Sequence, residues 1–138
     1  MNRKRIASTA LAIAATGSSA MGAYHFFLPS MFHWDEYVKQ IPSVIRWGLF
    51  SINVFFSFLL LAGGILTFVT LRALRRSSHP DRGILFAMSG FWLLNTLYQV
   101  FLPMPLPASM WPLRVVLVGY AVLTMLAYVV GLQALREP

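Results

Sequence analysis

The run SVIRWGLFSINVFFSFLLLAGGILTFVTL, residues 43–71, decides the fold. Its only charge is Arg46, near the start, and Arg72, Arg75 and Arg76 close it. It is rich in Phe and Leu and contains the pair Gly63-Gly64, and Pro42 in front suits the first position of a helix. At about 1.5 Å per residue, its 29 residues overshoot the roughly 30 Å hydrocarbon core of a bilayer, so such a helix must tilt or protrude.

The whole chain agrees with this run. Of 138 residues, 58% are hydrophobic and 11% charged, whereas a soluble domain is about half apolar and a quarter charged. A soluble fold of this size cannot hide so much apolar surface, so lipid is expected to be part of its solvent. The net charge of +7 would suggest nucleic acid in a soluble protein, but no basic face carries aromatics placed for stacking, and membrane proteins concentrate Lys and Arg in cytoplasmic loops. The absence of Cys excludes disulfides, thiolate metal sites and iron–sulfur clusters.

Upstream, Asn2-Arg3-Lys4-Arg5 precedes an uncharged run over 6–28. A basic start and small residues around Ser19-Ala20 fit a secretory signal. The apolar character continues through Tyr24, Phe26, Phe27 and Leu28, however, and 23 residues can cross a bilayer, so a retained first span is the expectation. Pro29 is read as its stop. Over 30–40, Met31, Trp34 and Val38, and then Ile41, recur at helical spacing, with Asp35, Glu36 and Lys39 mostly on the other side. With Ser30 as N-cap, this predicts a short amphipathic helix lying in the membrane surface.

Downstream, the loop from Ser77 to Gly83 holds His79, read as a helix-capping loop residue, and Pro80 and Asp81, which suit a helix start. A third span over 84–102 is short and polar in its last third. Pro103, Pro105, Pro107 and Pro112 then interrupt any helix, and a fourth span covers 113–135, with Arg114 at its start and Arg136 at its end. The expected fold is an all-α integral membrane protein, a single membrane domain over 1–138: a four-transmembrane-helix bundle with a short amphipathic interfacial helix between helices 1 and 2.

Four spans divide the basic residues eight to three. Arg3, Lys4, Arg5, Arg72, Arg75, Arg76, Arg82 and Arg136 share one side, and Lys39, Arg46 and Arg114 the other. The richer side is expected to be cytoplasmic, which puts both termini inside. The expected location is the cytoplasmic (inner) membrane of a bacterium.

Polar residues within the spans share a depth. Asn53, Asn95 and Tyr120 each lie about seven residues, roughly 10 Å, from the outer end of their span. Asn95 and Gln99 share a helix face with Trp92. One reading is an outward-opening pocket lined by His25, Trp47, Asn53, Trp92, Asn95, Gln99 and Tyr120, with Arg46 or Arg114 at its mouth. The other is plain hydrogen bonding between helices. Ala14, Ser18 and Gly22, spaced by four, mark a close helix contact.

No chemistry-bearing motif appears: no Gly-x-Ser-x-Gly, no phosphate loop, no metalloprotease His-Glu pair. No Asp, Glu or Lys lies inside a span, which argues against a proton-driven transporter. His25 is the only histidine near the membrane interior and lacks an evident axial partner for haem, and its spacing to His33 matches no strong metal motif. No cofactor and no metal are expected.

His25-Phe26-Phe27-Leu28-Pro29, followed by Phe32 and later Pro42, resembles the start of small four-span bacterial proteins of the DoxX-like type, which often carry a His-Phe-x-x-Pro pattern after the first helix. The chain lacks the acidic residue expected early in the second span of that group. The resemblance spans about 20 residues and implies the four-helix architecture, not an activity. Three functions follow as expectations. The first is a non-catalytic subunit that binds other membrane proteins or itself. The second is a protein that binds or passively transports a quinone, lipid or metabolite. The third is a haem- or quinone-linked redox protein. The expected partners are the lipid bilayer and other membrane subunits, not nucleic acid.

Overall fold

The computed structural model describes residues 3–76, 82–104 and 107–135. Helix α1 (Arg3–Met31) is followed by the single turn α2 (Trp34–Tyr37), then α3 (Ser43–Arg75), α4 (Gly83–Phe101), a short 3-10 turn (Ala108–Met110) and α5 (Trp111–Ala134). Four helices, Arg3–Met31, Ser43–Arg75, Gly83–Phe101 and Ala108–Ala134, are long and apolar enough to cross a membrane. Among the described residues there is no strand. The readings of His79, Pro80, Asp81 and Arg136 fall outside the described residues.

The helices alternate in direction around a ring, α1–α3–α4–α5, as in an up-down bundle. α1 packs along α3 and α5, α4 leans on α5, and α3 meets α4 least. The α1–α3 contact is close because both sides are small. A methyl group on Gly22 would stand 2.6 Å from the Leu61 backbone nitrogen. One on Gly64 would stand 2.7 Å from the Ser19 nitrogen and 2.9 Å from the Ala15 carbonyl oxygen. Ala14, Ser18 and Gly22, the small residues spaced by four, are all buried. This is backbone-to-backbone packing of the kind small residues permit.

Pro29 does not stop α1, which runs on to Met31. Proline has no N–H, so the His25 carbonyl, four residues earlier, loses its helical donor. Asn53 of α3 replaces it: its Nδ2 donates to the His25 carbonyl oxygen at 2.9 Å. The chain leaves the helix at His33, in the left-handed region at φ 47°. The surface helix expected over 30–40 is therefore one turn. Val38 behind it is buried, and Trp34 meets Phe50 with ring centroids 6.1 Å apart.

The centre of the bundle is held by a directed chain of hydrogen bonds. Trp92 Nε1 donates to Ser18 Oγ at 2.9 Å. Ser18 Oγ and Tyr128 OH lie 3.0 Å apart, as do Tyr128 OH and Thr67 Oγ1. Thr67 Oγ1 in turn donates to the Gly63 carbonyl at 2.7 Å. An indole N–H can only donate and a carbonyl can only accept, so every proton is assigned. The order runs Trp92, Ser18, Tyr128, Thr67, Gly63. The Trp92–Ser18 bond crosses one diagonal of the ring and Tyr128–Thr67 the other, so the chain touches all four long helices. At the opposite end from α2, Arg75 Nε donates to Ser8 Oγ at 3.2 Å, and Arg82 donates to the Leu135 carbonyl at the end of α5. A cation on the terminal carbonyls suits the negative end of that helix's dipole.

Candidate functional site

Above the central chain, toward α2, the helices part around a cavity of about 1070 Å³. α1 contributes Met21, Tyr24, His25 and Leu28, and the turn after it contributes Phe32, Trp34 and Val38. α3 adds Phe56 and Leu60; α4 adds Phe91, Trp92, Asn95, Tyr98 and Gln99. Leu113, Leu117 and Tyr120 of α5 complete the wall, with Met104 and Met110 at the rim. The cavity is slightly larger than the range of roughly 300–1,000 Å³ common for small-molecule sites.

Its base is a continuous aromatic belt. His25 lies against Phe56 at a centroid distance of 4.9 Å, Phe56 against Phe91 at 5.7 Å, Phe91 against Trp92 at 5.6 Å, and Trp92 against Tyr120 at 5.8 Å. The belt links all four long helices in order and bridges α3 and α4, where the helices themselves touch least. Tyr120 OH donates to the Gly17 carbonyl at 2.5 Å, which fixes the α5 end of the belt.

The polar groups on the wall are His25, Asn95 and Gln99, the indole N–H groups of Trp34 and Trp92, and the hydroxyls of Tyr24, Tyr37, Tyr98 and Tyr120. The Nδ1–H of His25 donates to the Met21 carbonyl at 2.9 Å, so the Nε2 of the neutral ring keeps its lone pair. Gln99 Nε2 donates to Asn95 Oδ1 at 2.7 Å, one helical turn away. That leaves the Asn95 amide N–H₂ and the Gln99 carbonyl oxygen without a partner among the described residues. Exchanging the two ends of both amides gives the same inventory. None of the described lining residues is Asp, Glu, Lys or Arg.

Of the residues singled out from sequence, His25, Trp92, Asn95, Gln99 and Tyr120 meet in this cavity. Trp47 does not: it is 71% exposed, on an outward face of α3. Asn53 is buried but engaged with the His25 carbonyl, so it supports the wall without lining it. Arg46 is half-buried on α3 and is not part of the lining. Arg114 is exposed at the rim, where its guanidinium donates to the carbonyl of the lining residue Met104 at 2.9 Å.

Phe56, Phe91 and Tyr98 also belong to the site and are not legible in advance. They are three aromatics among many, with nothing in the sequence to say which face inward. The Ser18–Tyr128–Thr67 chain had one available signal: hydroxyls on three spans, each well inside its helix.

Among the described residues no group of three or more His, Cys, Asp or Glu gathers to hold a metal. The buried hydroxyls of Ser18, Thr67 and Tyr128 are committed to one another, so none has a base beside it.

Comparison with protein-family models, with curated proteins and with solved structures returns no match. The DoxX-like resemblance at the end of α1 is thus confined to its own short stretch.

Proposed function

We propose that this is an integral membrane protein that binds a small amphiphilic molecule drawn from the bilayer, without transforming it. The observation that carries this reading is the cavity: large, walled by aromatics, with neutral polar groups on its wall that include His25, Asn95, Gln99 and several tyrosine hydroxyls. The exposed surface of the four helices, including Phe55, Phe58, Leu59, Leu94 and Val116, suits contact with lipid tails. The division of Lys and Arg supports an orientation with both termini inside and the α2 end and the cavity on the outer side of a bacterial cytoplasmic membrane. Trp34 and Tyr37 would then sit at headgroup depth, with Asp35 and Glu36 in water.

Binding is favoured over passage. Below the cavity the directed hydrogen-bond chain spans both diagonals, and beneath it Leu11, Leu71, Leu85 and Leu132 are buried in one packed core. A tail moving from lipid into an apolar cavity gains little, because both surroundings are oily. Selectivity must therefore come from the polar groups. Hydrogen bonds inside membranes average about 0.6 kcal/mol and reach about 1.7, so three of them contribute roughly 2–5 kcal/mol.

The test is to fill the cavity. Native mass spectrometry of the wild-type protein, extracted in mild detergent, should show a retained small-molecule adduct. Leu117→Trp, which places an indole in the cavity, should lose it while remaining helical and monodisperse. An adduct kept at full occupancy by Leu117→Trp would contradict the reading.

Association with other membrane subunits is a second reading. It draws on Gly48, Gly90 and Gly119, where an added methyl group meets nothing within 4 Å. A helix gains nothing internally from a glycine facing outward, whereas a close-packed neighbouring helix does. A protein that always purifies alone as a monomer would count against it.

A further inference from the structure

We infer that the ligand is an uncharged amphiphile whose head carries a hydrogen-bond donor beside an acceptor, such as a primary amide or an alcohol on an alkyl tail, and that the Asn95–Gln99 pair selects it. The inference rests on the binding reading above and adds the chemical class of the head group.

The first argument is charge. Among the described lining residues there is no Asp, Glu, Lys or Arg, and the one imidazole, His25, has its Nδ1–H on the Met21 carbonyl. An ionic head drawn inside would be stripped of water and meet no counter-ion. The cations at this end stand elsewhere. Arg114 is at the exposed rim with its guanidinium on the Met104 carbonyl, Arg46 lies on α3 outside the lining, and Lys39 is exposed beyond α2. Asp35 and Glu36 are exposed on α2 itself.

The second argument is the hydrogen-bond inventory. Because Nδ1–H is committed to the Met21 carbonyl, His25 offers a lone pair at Nε2. The amide pair, locked by its own 2.7 Å bond, offers one carbonyl oxygen and one N–H₂. The amide pair thus presents an acceptor and a donor one helical turn apart, and the hydroxyls of Tyr24, Tyr37 and Tyr98 and the Trp34 indole N–H line the same cavity. A head that brings both O–H or N–H and a lone pair can satisfy both ends of the Asn95–Gln99 pair. A head that only accepts, such as an ester or a ketone, leaves both His25 Nε2 and the amide carbonyl unpaired in an apolar cavity.

The test uses amphiphiles with one tail and different heads: dibrominated analogues of octadecanamide, methyl octadecanoate, octadecyl sulfate and octadecyltrimethylammonium. Each is titrated into the full-length protein in zwitterionic lipid nanodiscs, and the saturable part of tryptophan quenching by bromine is read. The amide should bind at least about tenfold more tightly than the ester, the sulfate or the ammonium, a difference of about 1.4 kcal/mol. In Asn95→Leu/Gln99→Leu the amide should fall to the level of the ester. Binding of the ester or of either ion as tight as the amide in the wild-type protein would overturn the inference and leave the binding reading standing. No saturable quenching by any of the four would remove the binding reading itself, and this inference with it. The comparison among ligands is made on the wild-type chain, so it does not depend on how the variant folds.

Discussion

Asn53 and His25 are tied across the α1–α3 contact by a bond from a side chain to a backbone: Asn53 Nδ2 lies 2.9 Å from the carbonyl oxygen of His25. That carbonyl is the one Pro29 cannot serve, and its residue carries the imidazole that lines the cavity. One amide on α3 thus lets α1 continue past a proline and holds a wall of the site in place.

The relation has a direct consequence for stability. Asn53→Leu leaves a carbonyl without a donor and should cost about 1–2 kcal/mol. In a Pro29→Ala background the alanine N–H can serve the His25 carbonyl, so the same substitution should cost markedly less. A double-mutant cycle of reversible unfolding in mixed micelles measures the coupling. Strictly additive costs would separate Asn53 from Pro29.

Two adjacent serines should respond in opposite ways. Ser18→Ala removes the link between Trp92 and Tyr128 and orphans a buried indole N–H, at about 1–3 kcal/mol. The Ser19 hydroxyl is buried without a partner, so Ser19→Ala should be neutral or stabilising. Unfolding curves of the two variants side by side decide the matter. Equal losses would mean that the central chain adds nothing.

The glycines divide in the same manner. Gly64→Ala drives a methyl group into the Ser19 and Ala15 backbone and should cost about 1–3 kcal/mol or more, because neither helix can yield locally. Gly90→Ala opens onto empty space and should cost nothing, or gain up to about 1 kcal/mol from helix propensity. Thermal stability in one detergent would rank them. A tolerated Gly64→Ala would show that α1 and α3 are less tightly joined.

Orientation is checked by reporter fusions. Those after Gln40 and Ala108 should read outside and one after Ser77 inside. An outward reporter at Ser77 would invert the bundle.

The four long helices are legible because each is a long apolar run bounded by charge or proline, a property that needs no knowledge of partners. The facing of each helix is not legible in the same way. On α5 the four-residue spacing of Tyr120, Thr124 and Tyr128 does mark the inward face, and Thr124 and Tyr128 are buried, but α3 and α4 carry too many aromatics for such a stripe to stand out. Depth can be counted from a span's end, and it puts Asn53, Asn95 and Tyr120 into one layer. Depth says nothing of rotation, which is why Trp47, at a suitable height, faces outward while Phe56 and Phe91 face in. Pro29 looks like a stop in the sequence because the group that offsets it, Asn53, lies on another helix. Such a remedy is invisible to any local rule.

Binding inside the bundle, the central claim, is tested most directly by comparing two single-tryptophan proteins. One keeps Trp92, which is 1% exposed and lines the cavity, and the other keeps Trp47, which is 71% exposed on the outside of α3. Titrated with the dibrominated octadecanamide in nanodiscs, Trp92 should be quenched along a saturating curve that ends at one ligand per chain. Trp47 should be quenched only in proportion to the amphiphile dissolved in the bilayer. Linear, superimposable curves for the two tryptophans would contradict binding in the cavity.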